Sequence, residues 1–287
     1  MSRKPNEHIG LLIAGFLSMV SLGLVISALW PWWSVQPARP HNSSAQPWPV
    51  VFLLPHQDDE MFLAGSMHRY VSTGRPVYAV IVTDGAGSAV RKMLNGETPD
   101  SRSEFGYYHQ PSKEGYATLN LRDFSAARNR EVFASLKSLG IPAEHIVFIN
   151  GGGLEGTSTP FYHDTQLTVS KASEVIAKVY DQLGNGTYIT LASGPEEAHF
   201  RNPDHWNLQK ALQKFKGIHE KKYFSDIASE HSQTITLSVG EQEAKQAALQ
   251  NYFVWDPSEG RYAIGEHSVA YLLKKWQASN EEYMIKN

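Results

Sequence analysis

The sequence predicts an α/β fold: a mainly parallel sheet covered by helices on both faces, preceded by one N-terminal transmembrane helix. Three observations carry this. Short apolar runs (Val50–Leu54, Val77–Thr83, Tyr188–Ala192) show no polar alternation, as expected of strands buried on both faces. Between them lie segments of helical spacing, 10 to 17 residues long, and strands alternating with such helices build parallel sheets. Finally, residues 9–30 contain no charged side chain.

Taken in order, residues 1–8 are polar and carry Arg3 and Lys4, a cytoplasmic tail. Twenty-two uncharged residues follow, enough to cross a bilayer as a helix, and Trp30, Trp32 and Trp33 suit the aromatic belt at its interface. The apolar core exceeds that of a cleaved signal peptide, so an uncleaved signal anchor is expected. Arg3, Lys4 and the amino terminus outweigh Arg39 on the other flank, which places the remainder outside the cytoplasm. The protein is therefore expected to be single-pass, with an extracytoplasmic domain: in a bacterium, on the inner membrane facing the periplasm or the outer surface. Residues 31–48 form a proline-rich linker without apolar periodicity, and 49–287 form one globular domain.

That domain starts with a strand at 50–54, followed by a helix at Met61–Val71 that Gly74 and Pro76 close. A second strand, Val77–Thr83, ends in Asp84-Gly85. Residues 86–124 make a long irregular excursion rich in Gly, Ser and Tyr. A helix at Ala126–Leu139 is capped by Gly140, then come a strand at His145–Asn150, a helix at Leu167–Leu183 and a strand at Tyr188–Ala192. A helix opens near Asn202 and runs to Lys214. Thr234–Ser238 is a further strand and Glu241–Tyr252 a further helix. The whole reads as a three-layer, Rossmann-like domain.

Composition narrows the chemistry. A formal net charge of −3 offers no basic footprint, so nucleic acid is not an expected partner. With no cysteine, disulfides and thiolate metal sites are excluded, leaving His and carboxylates as strong ligands. Oligomeric state is not legible. The aromatics, 11% of the chain, suit flat, partly apolar ligands such as sugars.

Two ligand-rich turns stand out. His56, Asp58, Asp59 and Glu60 follow the first strand, at the edge where open α/β sheets place their sites. Three adjacent acids repel one another unless a positive charge sits among them, and a divalent metal answers that; an acidic helix start capped by Asp58 is the plainer alternative. His199, Asn202, Asp204 and His205 follow the fourth strand. Both turns fall on one edge of a parallel sheet, so the two groups are expected to meet. Two imidazoles and a carboxylate with a fourth position open make a catalytic zinc site.

The same residues resemble a known family. His-Gln-Asp-Asp-Glu at 56–60 is similar to the His-Pro-Asp-Asp-Glu motif of the PIG-L/LmbE-like zinc-dependent de-N-acetylases. Asn-Pro-Asp-His at 202–205 is similar to their His-Pro-Asp-His. Thr83-Asp84-Gly85, the Arg128-to-Glu131 helix before Leu139-Gly140, and Lys245, Ala248 and Tyr252 follow in family order. The resemblance implies zinc, with another divalent metal as the alternative, held by His56, Asp59 and His205, and Asp58 as general base. Asp84 and Arg128 are expected to bind substrate. Gln57 replaces a proline and removes no ligand. Asn202 stands where the family has a histidine; an amide donates a hydrogen bond but delivers no proton, so His199 becomes the candidate acid. His163, His231 and His267 read as surface or packing histidines.

The implied function is a membrane-anchored N-deacetylase acting on an N-acetylated amino sugar in a glycan or glycolipid. A metal-dependent amidase on another amide, and a non-catalytic glycan-binding module in which Asn202 marks a decayed site, are the alternatives. In the excursion, Tyr107, Tyr108 and Tyr116 are candidates to stack on sugars, and Arg91 and Lys92 to meet an anionic group.

Overall fold

The computed structural model describes residues 48–100, 102, 105–149, 166–193 and 202–286. The predicted tail, the anchor at 9–30, the linker as far as residue 47, and His199 lie outside the described residues. Among the described residues no helix is long and apolar enough to cross a membrane.

A seven-stranded sheet organises the domain, in the order β3-β2-β1-β4-β5-β9-β6. The strands are β1 (Val50–Leu54), β2 (Val77–Ile81), β3 (Ile146–Phe148), β4 (Thr187–Leu191), β5 (Glu220–Ser225), β6 (Ser232–Thr236) and β9 (Glu281–Ile285). From β3 to β5 all neighbours are parallel; β9 runs antiparallel to both β5 and β6. A separate two-stranded ribbon joins β7 (Trp255–Asp256) to β8 (Arg261–Tyr262). The helices are α1 (Ala64–Ser72), α2 (Val90–Leu94), α3 (Leu121–Ser138), α4 (Val169–Leu183), α5 (Pro203–Lys214), α6 (Val239–Gln250) and α7 (Ile264–Ala278).

The alternation of side chains along β1 builds two cores. Val50, Phe52 and Leu54 face one side, against Met67 of α1, Val132 and Leu136 of α3, Leu249 of α6, and Leu273 and Trp276 of α7. Val51 and Leu53 face the other, against Val175, Ile176 and Val179 of α4 and Leu208 and Leu212 of α5. This accounts for the unbroken apolar run: no residue of β1 has a solvent face.

The chain leaves β1 outward through β2 and β3, then returns to place β4 on the other side of β1. The strand order therefore reverses between β1 and β4, and the crevice at the carboxyl ends of such strands is where open α/β sheets bind ligands.

Several elements differ from the sequence expectation. A 3₁₀ turn over Asp59–Phe62 precedes α1. Helix α3 starts at Leu121, five residues early, because Asn120 caps it by accepting the Asp123 N–H at 3.0 Å. The excursion thus ends at residue 120, and it contains the short helix α2. Strands β5 and β9 and helix α7 were not expected.

Candidate active site

The β1–α1 turn is held from outside. The carbonyl of Pro55 accepts both the backbone N–H and the hydroxyl of Thr83, at 3.1 and 2.9 Å, which extends the β1–β2 pairing past the strand ends. The backbone N–H of His56 then donates to Asp59 Oδ2 at 2.7 Å. That bond folds the acidic burst back on itself and brings the Asp59 carboxylate beside the His56 ring. Across the crevice, Asn202 caps α5 by accepting the Asp204 N–H at 2.8 Å, with Pro203 in the first turn. Asp204 and His205 are thereby fixed at the helix start, above the end of β4.

Three potential ligand residues converge there. His56 Nδ1 lies 3.1 Å from His205 Nε2 and 3.2 Å from Asp59 Oδ2, and His205 Nε2 lies 3.1 Å from Asp59 Oδ1. All three residues are buried. Ligand atoms around a tetrahedral zinc with bonds of about 2.0–2.1 Å stand about 3.3 Å apart, so the spacing fits such an ion. The other His56 nitrogen, Nε2, lies 3.1 Å from Asp204 Oδ2. Its hydrogen therefore belongs there, and the Nδ1 lone pair faces the cluster. Burial would raise the Asp59 carboxyl, but His205 and His56 beside it pull it well below the ordinary carboxylate range. The donor set is an anion with two imidazoles, which suits a divalent ion.

Asp58 points elsewhere. It occupies the N-cap position of the 3₁₀ turn, yet its side chain makes no capping bond. Instead Oδ1 accepts from Arg128 Nη2 at 3.1 Å, while Arg128 Nη1 donates to the Gly85 carbonyl at 2.9 Å. The plain acidic-cap alternative for Asp58 is not what the structure shows.

A family model described as PIG-L, GlcNAc-PI de-N-acetylase, matches residues 51–216, more than half of the 287 residues. The chain belongs to the PIG-L family. None of the curated proteins compared with it matches. Among solved structures it is similar to a deacetylase triple mutant of the teicoplanin biosynthetic pathway, at TM-score 0.53 and 15% identity over 83% of this chain and 96% of that one. The zinc-inhibited form of teicoplanin deacetylase gives TM-score 0.52 and 13% identity over 83% and 97%. The A40926 pseudoaglycone deacetylase gives 0.50 and 15% over 82% and 95%. At these identities the likeness speaks to the fold, which is the Rossmann-like α/β fold expected. Membership of the PIG-L family makes the chain a hydrolytic N-deacetylase.

In this PIG-L chain the structure brings together His56, Asp59 and His205, and sets the Asp58–Arg128 pair next to them in the chain. Asp84 is buried, its Oδ1 accepting the Ala86 N–H at 3.1 Å, so it shapes the turn that presents the Gly85 carbonyl to Arg128. Glu131 accepts the backbone N–H groups of Ile264 and Gly265, at 2.7 and 3.1 Å, at the start of α7. Of the excursion tyrosines, Tyr107 and Tyr108 are exposed, but Tyr116 is buried with its hydroxyl on the Leu94 carbonyl and presents no stacking face. Arg91 donates to the Leu119 carbonyl at 3.3 Å.

A supporting layer was less visible in the sequence. Gln57 is fully buried, and its amide donates to the Thr83 carbonyl at 3.1 Å and to Asn129 Oδ1 at 2.9 Å; the residue that replaces proline ties the motif to β2 and α3. Glu60 turns away from the cluster, with Oε1 accepting from Ser135 and lying against the Tyr252 hydroxyl, both at 2.6 Å. That same hydroxyl meets the Gln57 carbonyl. One hydroxyl hydrogen cannot serve two acceptors. Burial pushes the Glu60 carboxyl up to about 8, against the opposing effect of Ser135 and Tyr252, so Glu60 keeps its proton and donates to Tyr252, which donates to Gln57. In the sequence Tyr252 is marked only by its place in the family order, which does not show this contact.

Proposed function

We propose that this PIG-L chain removes the acetyl group from an N-acetylated amino sugar carried by a glycan or glycolipid. The observation that carries the reading is the convergence of His56 Nδ1, Asp59 and His205 Nε2 at tetrahedral spacing, with a separate carboxylate, Asp58, at the same strand end. His56, Asp59 and His205 would hold a zinc ion, or another divalent metal, which lowers the pKa of a water and polarises a carbonyl oxygen.

The chain's own residues do the rest. Asp58, oriented by Arg128 through Oδ1, accepts the proton of the attacking water as that water adds to the acetamide carbonyl. Breakdown needs a donor to the leaving amine. Asn202 uses its side-chain oxygen as the α5 cap, which leaves its NH₂ to hydrogen-bond the substrate without supplying a proton. Asp58, once protonated, or His199 then returns the proton. Exposed Tyr107 and Tyr108 offer rings on which a sugar stacks.

The membrane part of the reading rests on the uncharged segment 9–30, the tryptophans that follow it, and the positive flank at Arg3 and Lys4. A single-pass anchor holds residues 49–287 outside the cytoplasm, beside a substrate on or near the membrane.

The test is amine release from N-acetylglucosamine oligosaccharides, with and without chelator, for the wild type and Asp58→Asn. Chelator-sensitive release that Asp58→Asn abolishes supports the reading. Sugar binding without any turnover, in a metal-loaded wild type, would leave a binding module instead.

A further inference from the structure

A second group of ligand-type side chains lies outside this centre and shares no residue with it. Asp100 and His109, both in the excursion between β2 and α3, meet His267 from the first turn of α7. Their exposures are 6%, 6% and 3%, so all three are more than nine-tenths buried. His109 Nε2 lies 3.1 Å from His267 Nε2, and Asp100 Oδ2 lies 3.5 Å from the first and 3.7 Å from the second. These separations bracket the edge of about 3.3 Å that a tetrahedral ion with bonds near 2.0–2.1 Å sets between its ligand atoms.

The tautomers agree with the spacing. His109 Nδ1 faces Glu114 Oε2 at 2.8 Å, and His267 Nδ1 faces the Ala263 carbonyl at 2.7 Å. Each Nδ1 meets an acceptor and so carries the ring hydrogen; each Nε2 then turns a lone pair to the common point. Outer acceptors of this kind set the orientation of metal-bound imidazoles.

Two lone pairs and a carboxylate oxygen facing one another repel unless a cation lies between them. Arg102 answers only part of this. Its Nη2 donates to His267 Nε2 at 2.5 Å and to Asp100 Oδ2 at 3.0 Å, while Nη1 is held by Glu266 at 2.8 Å. Among the described residues, no donor other than these facing groups reaches His109 Nε2.

We propose that Asp100, His109 and His267 bind a second divalent cation of zinc's chemical class, clipping the excursion to α7. When the ion binds, Arg102 yields Nη2 and keeps its contacts through Nε to Asp100 Oδ1 and through Nη1 to Glu266. The ion then orders the segment that carries exposed Tyr107 and Tyr108, with Trp255 stacked on the His109 ring at 5.3 Å.

The test is the zinc content of the full chain, purified under zinc-replete conditions and freed of loose metal by gel filtration. The expected result is two equivalents in the wild type and one each in His109→Ala and in His205→Ala. Retention of one equivalent by His205→Ala also shows that the second site is folded without the first. Arg102→Gln is expected to keep the second equivalent. One equivalent in the wild type, absent from His205→Ala and unchanged in His109→Ala, would overturn the proposal. So would two equivalents that persist in His109→Ala, or an Arg102→Gln protein that unfolds at lower temperature with zinc still at one equivalent, since Arg102 would then be the resident cation.

Discussion

Asp204 holds His56 from across the crevice: its Oδ2 lies 3.1 Å from His56 Nε2, and its Oδ1 accepts the Leu167 N–H at 3.0 Å. With no exposure to solvent, this carboxylate has both oxygens committed, one to the imidazole of the first motif and one to the backbone before α4. It joins the two halves of the candidate metal centre without occupying a ligand position.

Asp204→Asn leaves a single oxygen to serve those two donors and removes the charge that makes His56 a better ligand. The expected outcome is a loss of about 10–100-fold in metal affinity at the first centre, with the fold intact by circular dichroism. Metal titration of the apo-protein checks it; an unchanged affinity would show that Asp204 serves only the Leu167 backbone.

Gly85 is the residue through which Arg128 is placed. It has φ +64, and a Cβ there would sit 2.1 Å from Gln57 Oε1 and 2.8 Å from Arg128 Nη1. Gly85→Ala is strained by both the backbone and the contact, at about 1–3 kcal/mol. Gln57 and Arg128 must both shift, so kcat is expected to fall along with thermal stability. Lower stability with full kcat would show that Arg128 does not orient Asp58.

Glu60 gives the fold a pH dependence whose sign follows from its proton. Its carboxyl is raised from 4.5 to about 8, so the folded state binds more protons than the unfolded state across that window. The contribution of Glu60 to stability is then fullest below about 4.5, falls as pH rises, and is gone above about 8. Glu60→Gln keeps the neutral shape and removes that slope, so the wild type is expected to lose up to a few kcal/mol more than the variant between pH 5 and 8.5. Glu131, which burial also pushes up to about 8, contributes equally to both proteins. Parallel denaturant-unfolding profiles would contradict a protonated Glu60.

The elements that sequence made legible are those whose burial is complete. Val50–Leu54 and Thr187–Leu191 have no solvent face, and their apolar runs announce them. Asn202 with Pro203 and Asp204 is a local helix start that needs no tertiary information. Strand β5 begins with Glu220, Lys221 and Lys222, only half-buried, so neither an apolar run nor alternation marks it. Helix α7 includes Gly265 and a break at Val269, where φ is −139, and loses its helical period there. The meeting of the two motifs was legible because topology alone places both at one sheet edge. Support through Tyr252, Gln57 and Asn129, and the meeting of Asp100 with His109 and His267, depend on long-range packing that no spacing encodes.

In the proposed function metal and base are separate: His56, Asp59 and His205 would hold the ion, and Asp58 would move the proton. The direct test is zinc content beside deacetylase activity for wild type, His205→Ala and Asp58→Asn. His205→Ala is expected to lose one zinc equivalent and all activity. Asp58→Asn is expected to keep the wild-type zinc content and lose about 10²–10⁴-fold in kcat. A His205→Ala protein with undiminished zinc, or an Asp58→Asn protein with undiminished kcat, would contradict the account.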